Sequence, residues 1–214
     1  MKVVVIDNYD SFTYNLVEAV SSAPLEGGET PTVEVLTNDV ELDTVRAADP
    51  DAVLISPGPG HPANERDVGV SIPVLSQLSR SVPVLGVCLG MEAAIEVAGG
   101  TIERAPEVVH GKAATISHDG RGIFESIEQG FDGARYHSLI AGSVPPVYEV
   151  SAWTEDPYIP MAIRHRDRPI VAVQFHPESV LTAVGQALIE TFLSLAARHP
   201  NKSEDRTISG VSGR

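Results

Sequence analysis

Residues 82–90 read VPVLGVCLG, a valine-rich apolar run that ends in Cys88 between two glycines. This run predicts a buried strand over 82–87, and the apolar spacing after it predicts a helix over 89–98 closed by a Gly-Gly cap. Gly-x-Cys-x-Gly at a strand-to-helix junction is typical of a nucleophile elbow, a sharp turn that presents its central side chain above the strand ends. The small flanking glycines are expected to let the backbone take strained angles without a Cβ clash.

Strands and helices alternate on the N-terminal side of this junction as well. Strands are predicted over residues 2–6, 32–36 and 52–55, and a helix over 67–79. Phe12, Leu16 and Val20 recur at helical spacing, with Asp10 or Ser11 available as the N-cap. Because alternating strands and helices form βαβ units, we expect a parallel sheet covered by helices on both faces.

The second half of the chain has short, closely spaced strand patterns, which predict antiparallel additions to the sheet. These strands are expected over residues 113–117, 134–136, 148–153, 161–164 and 170–174. A last helix over 182–197 would place Val184, Leu188, Phe192 and Leu195 on one face. The end of the chain is rich in Ser, Gly and charge. We therefore predict one domain over 1–198 and a disordered tail over 199–214.

The 214 residues carry a formal charge of −14 and include one cysteine. This charge argues against nucleic acids and anionic membranes as partners, because both require clusters of Lys and Arg. One cysteine cannot form an internal disulfide or a multi-thiolate metal site, and no apolar run is long enough to span a membrane. An acid as early as Asp7 argues against a secretory signal, so we expect a cytoplasmic protein. The acidic, lysine-poor composition fits either a high-salt source or ordinary codon bias.

Cys88 is a candidate nucleophile because of its place at the junction. The N-terminus of the following helix is expected to lower the pKa of the thiol and to stabilise the thiolate. The backbone N–H of Leu89 would point toward a carbonyl oxygen that becomes negative during attack. The alternative is a buried structural cysteine, the usual role of a single cysteine in a core.

His176 is the best candidate for the base that a thiol nucleophile needs. Pro177 ends the preceding strand, which places His176 at a strand terminus, where parallel sheets bind ligands. Glu178 can hold the imidazole in one tautomer and stabilise its cation. His137 is the second candidate. The histidines in less informative settings are His110, His118, His165 and His199.

The loop over residues 56–62, SPGPGHP, follows a predicted strand and should lie at the same sheet edge as Cys88. Its prolines stiffen it, while Gly58 and Gly60 let the backbone approach a bound group. The N–H of Gly58 is a candidate second oxyanion donor. No Gly-Lys-Ser/Thr follows, so the loop is not a phosphate loop; a rigid connection is the alternative.

Five motifs in register resemble those of class I (triad) glutamine amidotransferases. They are DNYDSFT at 7–13, SPGPG at 56–60, GVCLG at 86–90, RYHSL at 135–139 and QFHPES at 174–179. Within that family they look most like the glutaminase subunits of anthranilate synthase and of aminodeoxychorismate synthase. The similarity covers residues 2–196.

This resemblance implies an α/β fold of the flavodoxin-like, three-layer kind, with a central mixed, mostly parallel sheet between helices. It implies hydrolysis of the side-chain amide of L-glutamine, in which Cys88 attacks, His176 transfers protons and Glu178 orients His176. Gly58 and Leu89 would form the oxyanion hole. The substrate-binding residues that the resemblance implies are Gly58, Gly60, Leu89, Glu92, Ser138 and Leu139.

The resemblance also implies a partner, a chorismate-binding synthase subunit that receives the ammonia in a heterodimer or heterotetramer. A chain of 214 residues is expected to be too short to include that subunit. Asp10 and Ser11 are expected near the interface. No cofactor or metal is expected in this chain, while the synthase subunit is expected to use Mg²⁺. The sequence leaves the product open between anthranilate, for tryptophan, and aminodeoxychorismate, for folate.

One departure from the family pattern lies just after the cysteine. The family usually continues Cys-Leu-Gly with His-Gln, whereas this chain has Met91 and Glu92. A carboxylate in place of the amide removes two donors and adds a charge, which would also raise the pKa of the nearby thiol. The alternatives are neutral local variation or a non-catalytic interaction subunit that binds glutamine poorly. A free-standing thiol hydrolase is disfavoured by the segment 7–13.

Overall fold

Eleven strands and six α-helices make up the described part of the chain, which in this computed structural model comprises residues 1–106 and 111–199. The strands are β1 (Lys2–Asp7), β2 (Thr32–Thr37), β3 (Ala52–Ile55), β4 (Val84–Val87), β5 (Thr101–Arg104), β6 (Lys112–His118), β7 (Phe131–Arg135), β8 (Leu139–Ser143), β9 (Tyr148–Glu155), β10 (Tyr158–His165) and β11 (Ile170–Val173). The helices are α1 (Thr13–Ser22), α2 (Leu42–Ala47), α3 (Glu65–Val68), α4 (Ser71–Ser76), α5 (Leu89–Val97) and α6 (Gly185–Ala197).

Nine of these strands form one mixed sheet in the order β2-β1-β3-β4-β11-β10-β9-β6-β7. The first five strands are parallel, and the remaining pairings are antiparallel. The predicted α/β fold and the antiparallel additions in the second half are therefore confirmed. Two strands that the sequence did not predict, β5 and β8, pair with each other in a separate two-stranded sheet.

The parallel strands are buried on both faces because their side chains alternate between two cores. Val3 and Val5 pack on one face with α1 and α6, while Val4 and Ile6 pack on the other with α2 to α5. At about 25 cal/mol per Å² of apolar surface, this double coverage is the main source of stability for the parallel strands. Because these strands run parallel, every loop that follows one of them lies at the same edge of the sheet.

The carboxyl ends of β1, β3, β4 and β11 share that edge, because parallel neighbours run in the same direction. The register aligns Ile6 of β1 with Ile55 of β3, and Val87 of β4 with Val173 of β11. The four segments that follow these strands therefore begin side by side. These segments are the ones that carry the motifs singled out in the sequence.

The helix predicted over 67–79 is wrong as a single element. The chain forms α3, α4 and a 3₁₀ turn at Leu78–Arg80 instead. The break lies at Gly69, whose φ is +42° and whose Cβ, if present, would lie 2.0 Å from the carbonyl oxygen of Asn38. A long-range backbone contact thus overrides the local helical spacing.

Two details of the other helices also differ from expectation. Helix α1 begins at Thr13 with Phe12 as N-cap, and Asp10 Oδ1 instead accepts a hydrogen bond from the Phe12 N–H at 2.7 Å. In α6, Leu188 and Phe192 are buried as predicted, but Leu195 is 40% exposed. Ile189 and Leu193 are buried in addition, and the helix begins three residues later than expected.

The tail predicted over 199–214 lies, apart from His199, outside the described residues, as does His110. Among residues 1–106 and 111–199, no helix is both long enough and apolar enough to cross a membrane.

Candidate active site

Cys88 occupies the turn between β4 and α5 with φ +53° and ψ −102°, a strained conformation for a residue with a side chain. The positive φ belongs to the cysteine itself, and the flanking glycines allow the turn without a Cβ clash, as expected. The glycines serve close packing: a Cβ on Gly86 would lie 2.7 Å from the carbonyl carbon of Gly90. Cys88 N–H donates to the Val173 carbonyl at 2.8 Å, which ties the turn to the end of β11.

His176 and Glu178 form a buried pair just beyond that end of β11. His176 Nδ1 lies 2.6 Å from Glu178 Oε1, and their side chains are 3% and 0% exposed. Because a carboxylate only accepts, it fixes the proton on Nδ1 and leaves Nε2 as the basic nitrogen. Nε2 is buried and has no hydrogen-bond partner among the described residues. The ring is therefore prepared to exchange a proton through Nε2.

Two aromatic rings hold His176 in this orientation. Tyr136 and Phe12 meet the imidazole edge to face, with centroid distances of 5.0 and 5.6 Å. The main chain is fixed as well, since Thr182 Oγ1 donates to the His176 carbonyl oxygen at 2.8 Å. These contacts, together with the hydrogen bond to Glu178, fix the position of the imidazole at the sheet edge.

The pKa of the Cys88 thiol is raised by its surroundings, whereas the sequence predicted a lowered pKa. Burial raises the pKa of the Cys88 thiol well above its usual value, and the negative charges of Glu92 and Glu178 raise it further. The N–H of Leu89 at the start of α5 lowers it, but by less. The helix terminus thus acts in the predicted direction and is outweighed, so the surroundings favour the protonated thiol.

Glu92 lies one helical turn beyond Cys88 and is 3% exposed. Gln174 Nε2 donates to Glu92 Oε1 at 2.9 Å and lies 3.6 Å from Cys88 Sγ. Burial raises the pKa of Glu92, while the Gln174 hydrogen bond and the nearby His61 and His176 lower it. Glu92, which departs from the family's usual glutamine at this position, therefore lies beside the candidate nucleophile.

The loop after β3 packs against the turn at Cys88. A Cβ on Gly58 would lie 2.6 Å from both Asn8 Cβ and Leu89 Cδ2, so only glycine allows this approach. Asn8 and Ser56 hold the loop from the other side, with Asn8 Nδ2 donating to the Ser56 carbonyl at 2.8 Å. The two candidate oxyanion donors, Gly58 and Leu89, are thereby neighbours.

Three further residues from the sequence prediction line one cleft of about 460 Å³. They are Gly60, Ser138 and Leu139, and they share the cleft with His61, Arg104 and Ala105. His61, on this wall of the cleft, also lowers the pKa of Glu92 through its charge. The cleft offers backbone groups, one histidine and one arginine, a suitable lining for a small polar molecule.

His137, the second candidate base, is already engaged at both ring nitrogens. Nδ1 donates to the Leu139 carbonyl at 2.8 Å, and Nε2 accepts from Arg135 Nε at 3.0 Å. Burial, aided by the charge of Arg135, lowers the pKa of His137 to about 4. This ring is a neutral structural group that holds the segment before Leu139.

Sequence reasoning missed Gln174, His61 and Arg104. Gln174 had a usable signal, because it lies two residues before His176 and so shares one side of an extended chain. His61 directly follows Gly60, whereas nothing in the sequence pointed to Arg104. Over residues 1–106 and 111–199, no group of three or more His, Cys, Asp or Glu side chains is arranged to hold a metal ion.

The comparisons with known proteins agree with this geometry. The family model of class-I glutamine amidotransferases matches residues 4–196. Anthranilate synthase component 2 of Halobacterium salinarum is 59% identical over 199 residues, which are 93% of this chain and all of that protein. Anthranilate synthase component II of Haloarcula marismortui is 58% identical over 91% of this chain and 92% of that protein.

A solved structure shares the fold at low sequence identity. A glutamine amidotransferase of Thermotoga maritima has a TM-score of 0.71 at 14% identity, over 92% of this chain and 98% of that one. The fold, the match over residues 4–196 and the identity to full-length relatives lead to one assignment. The chain belongs to the class-I glutamine amidotransferase family.

Proposed function

We propose that this chain is the glutamine-hydrolysing subunit of an anthranilate synthase and serves tryptophan biosynthesis. One observation carries the proposal: a strained, buried Cys88 lies at the same sheet edge as the His176–Glu178 pair. This arrangement occurs in a chain that is 59% identical to the whole of a protein named anthranilate synthase component 2.

Hydrolysis begins with attack of Cys88 Sγ on the side-chain carbonyl carbon of glutamine. Because the surroundings of Cys88 favour the protonated thiol, His176 Nε2 must take its proton as the C–S bond forms. The carbonyl oxygen becomes negative and faces the N–H groups of Gly58 and Leu89. Glu178 stabilises the imidazolium that results, through the 2.6 Å hydrogen bond to Nδ1.

The second half of the reaction restores the enzyme. The imidazolium returns its proton to the amide nitrogen, the C–N bond breaks, and ammonia leaves a glutamyl thioester on Cys88. Water then attacks the thioester while His176 again takes a proton. The C–S bond breaks, the sulfur is reprotonated, and glutamate is released. Each step uses side chains of this chain alone, so we propose that hydrolysis needs no cofactor and that any Mg²⁺ serves the synthase subunit.

The cleft of about 460 Å³ supports glutamine as the substrate. Its backbone groups at Ser138 and Leu139 suit the α-amino and α-carboxylate groups, and Arg104 adds a positive charge for the carboxylate. A Glu92 carboxylate, which the Gln174 hydrogen bond and His61 favour against the effect of burial, would supply the opposite charge for the α-ammonium. The carboxamide would then extend from this cleft toward Cys88.

A chorismate-binding synthase subunit is the proposed partner, in a heteromeric complex. Three exposed apolar side chains lie close in sequence to Asp10 or Glu178: Tyr9 is 60%, Tyr14 68% and Val180 96% exposed. These side chains flank the segment with Asp10 and the segment after Glu178. Exposed apolar side chains in these segments suit an interface that covers the site and keeps ammonia from solvent.

The non-catalytic alternative depends on Met91 and Glu92, and two observations weigh against it. Met91 is fully buried among the apolar residues of the α2-to-α5 core, so it takes no part in the cleft. Glu92 is held by Gln174 and leaves the His176–Glu178 pair intact. The departure therefore changes the charge beside the site without removing a catalytic group.

The test combines this chain with its chorismate-binding subunit and follows anthranilate by fluorescence, with either glutamine or an ammonium salt as the nitrogen donor. We expect Cys88→Ala to abolish the glutamine-dependent rate and to leave the ammonium-dependent rate unchanged. Equal glutamine-dependent rates for the variant and the parent would overturn the proposal. Formation of aminodeoxychorismate in place of anthranilate would overturn the choice of synthase.

A further inference from the structure

Gln174 links the departure at position 92 to the candidate nucleophile. It follows β11 directly and is fully buried. Its Nε2 donates to Glu92 Oε1 at 2.9 Å and lies within sulfur hydrogen-bond distance of Cys88 Sγ, at 3.6 Å. The Oε1 of Gln174 is buried and has no partner among the described residues. The amide therefore uses its two N–H donors and leaves its acceptor unused.

Glu92 explains this orientation of the amide. A carboxylate only accepts hydrogen bonds, so it binds the NH₂ end of Gln174 and repels the Oε1 end. An amide at position 92, as the family usually has, could bind either end. Since NH₂ is turned toward Glu92, its second N–H faces the sulfur. Leaving a buried Oε1 unpaired has a cost, which indicates that the two donor contacts outweigh it.

We propose that Gln174 is a positioning residue, held by Glu92, that donates a hydrogen bond to the sulfur of Cys88 and stabilises its thiolate. The inference rests on the proposed function, in which Cys88 is the nucleophile. Glu92 then has two opposed effects. Its charge disfavours the Cys88 thiolate, while its hydrogen bond from Gln174 orients the second N–H donor that stabilises the thiolate. Gln174 lies between the two negative groups.

The pKa of Cys88 also depends on other charged groups, and the substitutions at Gln174 replace none of them. Those that act on Cys88 or on Glu92 are Asp10 before α1, His61 after β3, and His176 and Glu178 after β11. A change confined to Gln174 leaves all of them in place. The Gln174 hydrogen bond also lowers the pKa of Glu92, so the Glu92→Gln background, in which position 92 carries no charge, separates the lost donor from a change in the charge of Glu92.

The experiment measures the rate of Cys88 alkylation by iodoacetamide across pH 5–10 on the full chain. This chain has one cysteine, so every alkylated molecule reports Cys88. The variants are Gln174→Met, which keeps the length and removes both donors, Glu92→Gln, and the double variant. Gln186→Met is the matched control, because Gln186 Nε2 also donates to a glutamate, Glu190, at 3.0 Å but lies on α6.

We expect Gln174→Met to slow alkylation about three- to tenfold at any pH below the thiol pKa, the range for a lost hydrogen bond. In the Glu92→Gln background, Gln174→Met should slow alkylation by less, because a glutamine at position 92 no longer fixes the orientation of the Gln174 amide. Gln186→Met should match the parent. A parental profile for Gln174→Met, or an equal effect in both backgrounds, would refute the proposal.

Folding and function are separated in the same series. Thermal unfolding of each variant identifies any that fails to fold, and Gln174→Asn then replaces Gln174→Met, since it withdraws the donor by one methylene and keeps a polar group. Gln174→Asn should also slow alkylation, and an unchanged profile would again refute the proposal. Alkylation requires no glutamine turnover, so a failure of the proposed function would show only in the anthranilate assay.

Discussion

Replacing Glu178 with Gln tests the hydrogen bond that holds His176. The amide oxygen can still accept from His176 Nδ1, so the change removes the charge and keeps the shape. In the wild type the two atoms are 2.6 Å apart, and both side chains are almost fully buried. The imidazolium formed during attack on glutamine therefore loses a partner that water cannot replace.

The expected loss follows from this geometry. A hydrogen bond to a charged group contributes about 1.5–3 kcal/mol, and two unit charges about 4 Å apart attract by about 4 kcal/mol at an effective dielectric of about 20. From these two values, we expect Glu178→Gln to destabilise the transition state by about 2–4 kcal/mol. Since about 1.4 kcal/mol is a factor of ten, kcat for glutamine hydrolysis should fall roughly 30- to 1,000-fold.

The assay follows anthranilate formation by the complex with glutamine and, separately, with an ammonium salt. Only the glutamine-dependent kcat should fall, and the ammonium-dependent rate should stay at the parental level. Glu190→Gln is the matched control, since Glu190 lies on α6 and accepts from Gln186. A glutamine-dependent kcat within twofold of the parent would refute the assigned role of Glu178.

Three smaller predictions follow from packing and burial. Gly58→Ala should destabilise the protein by about 1–3 kcal/mol in urea unfolding and lower the glutaminase kcat, because its Cβ would lie 2.6 Å from Asn8 and Leu89. Gly69→Ala should lower the free energy of unfolding by about 2 kcal/mol or more, because φ at this position is +42° and the Cβ would lie 2.0 Å from the carbonyl oxygen of Asn38. Burial lowers the pKa of His137 to about 4, so its imidazole signals in NMR should not titrate between pH 8 and pH 5. Since unfolded histidines protonate near pH 6.5, this ring should reduce stability as the pH falls from about 6.5 toward 4.

The elements that the sequence predicted well are those whose signal is local. The strands of the parallel half are short apolar runs, and α5 has both its start after Cys88 and its Gly-Gly end in the sequence. The elements that failed depend on distant contacts. Gly69 breaks a helical pattern because it packs against the carbonyl of Asn38, and β5 exists as a strand because it pairs with β8.

The sequence by itself determined the alternation of strands and helices, and it singled out the candidate nucleophile Cys88 and the candidate pair of His176 and Glu178, because each of these signals lies within a few consecutive residues. Only the tertiary structure decided the direction in which the pKa of the Cys88 thiol is shifted. Gln174 and Glu92 are 82 positions apart in the chain, yet they meet beside the sulfur. Burial and two carboxylates then outweigh the helix terminus and raise the pKa of the thiol. Electrostatic energy depends on distance and solvent exposure, and folding alone sets both.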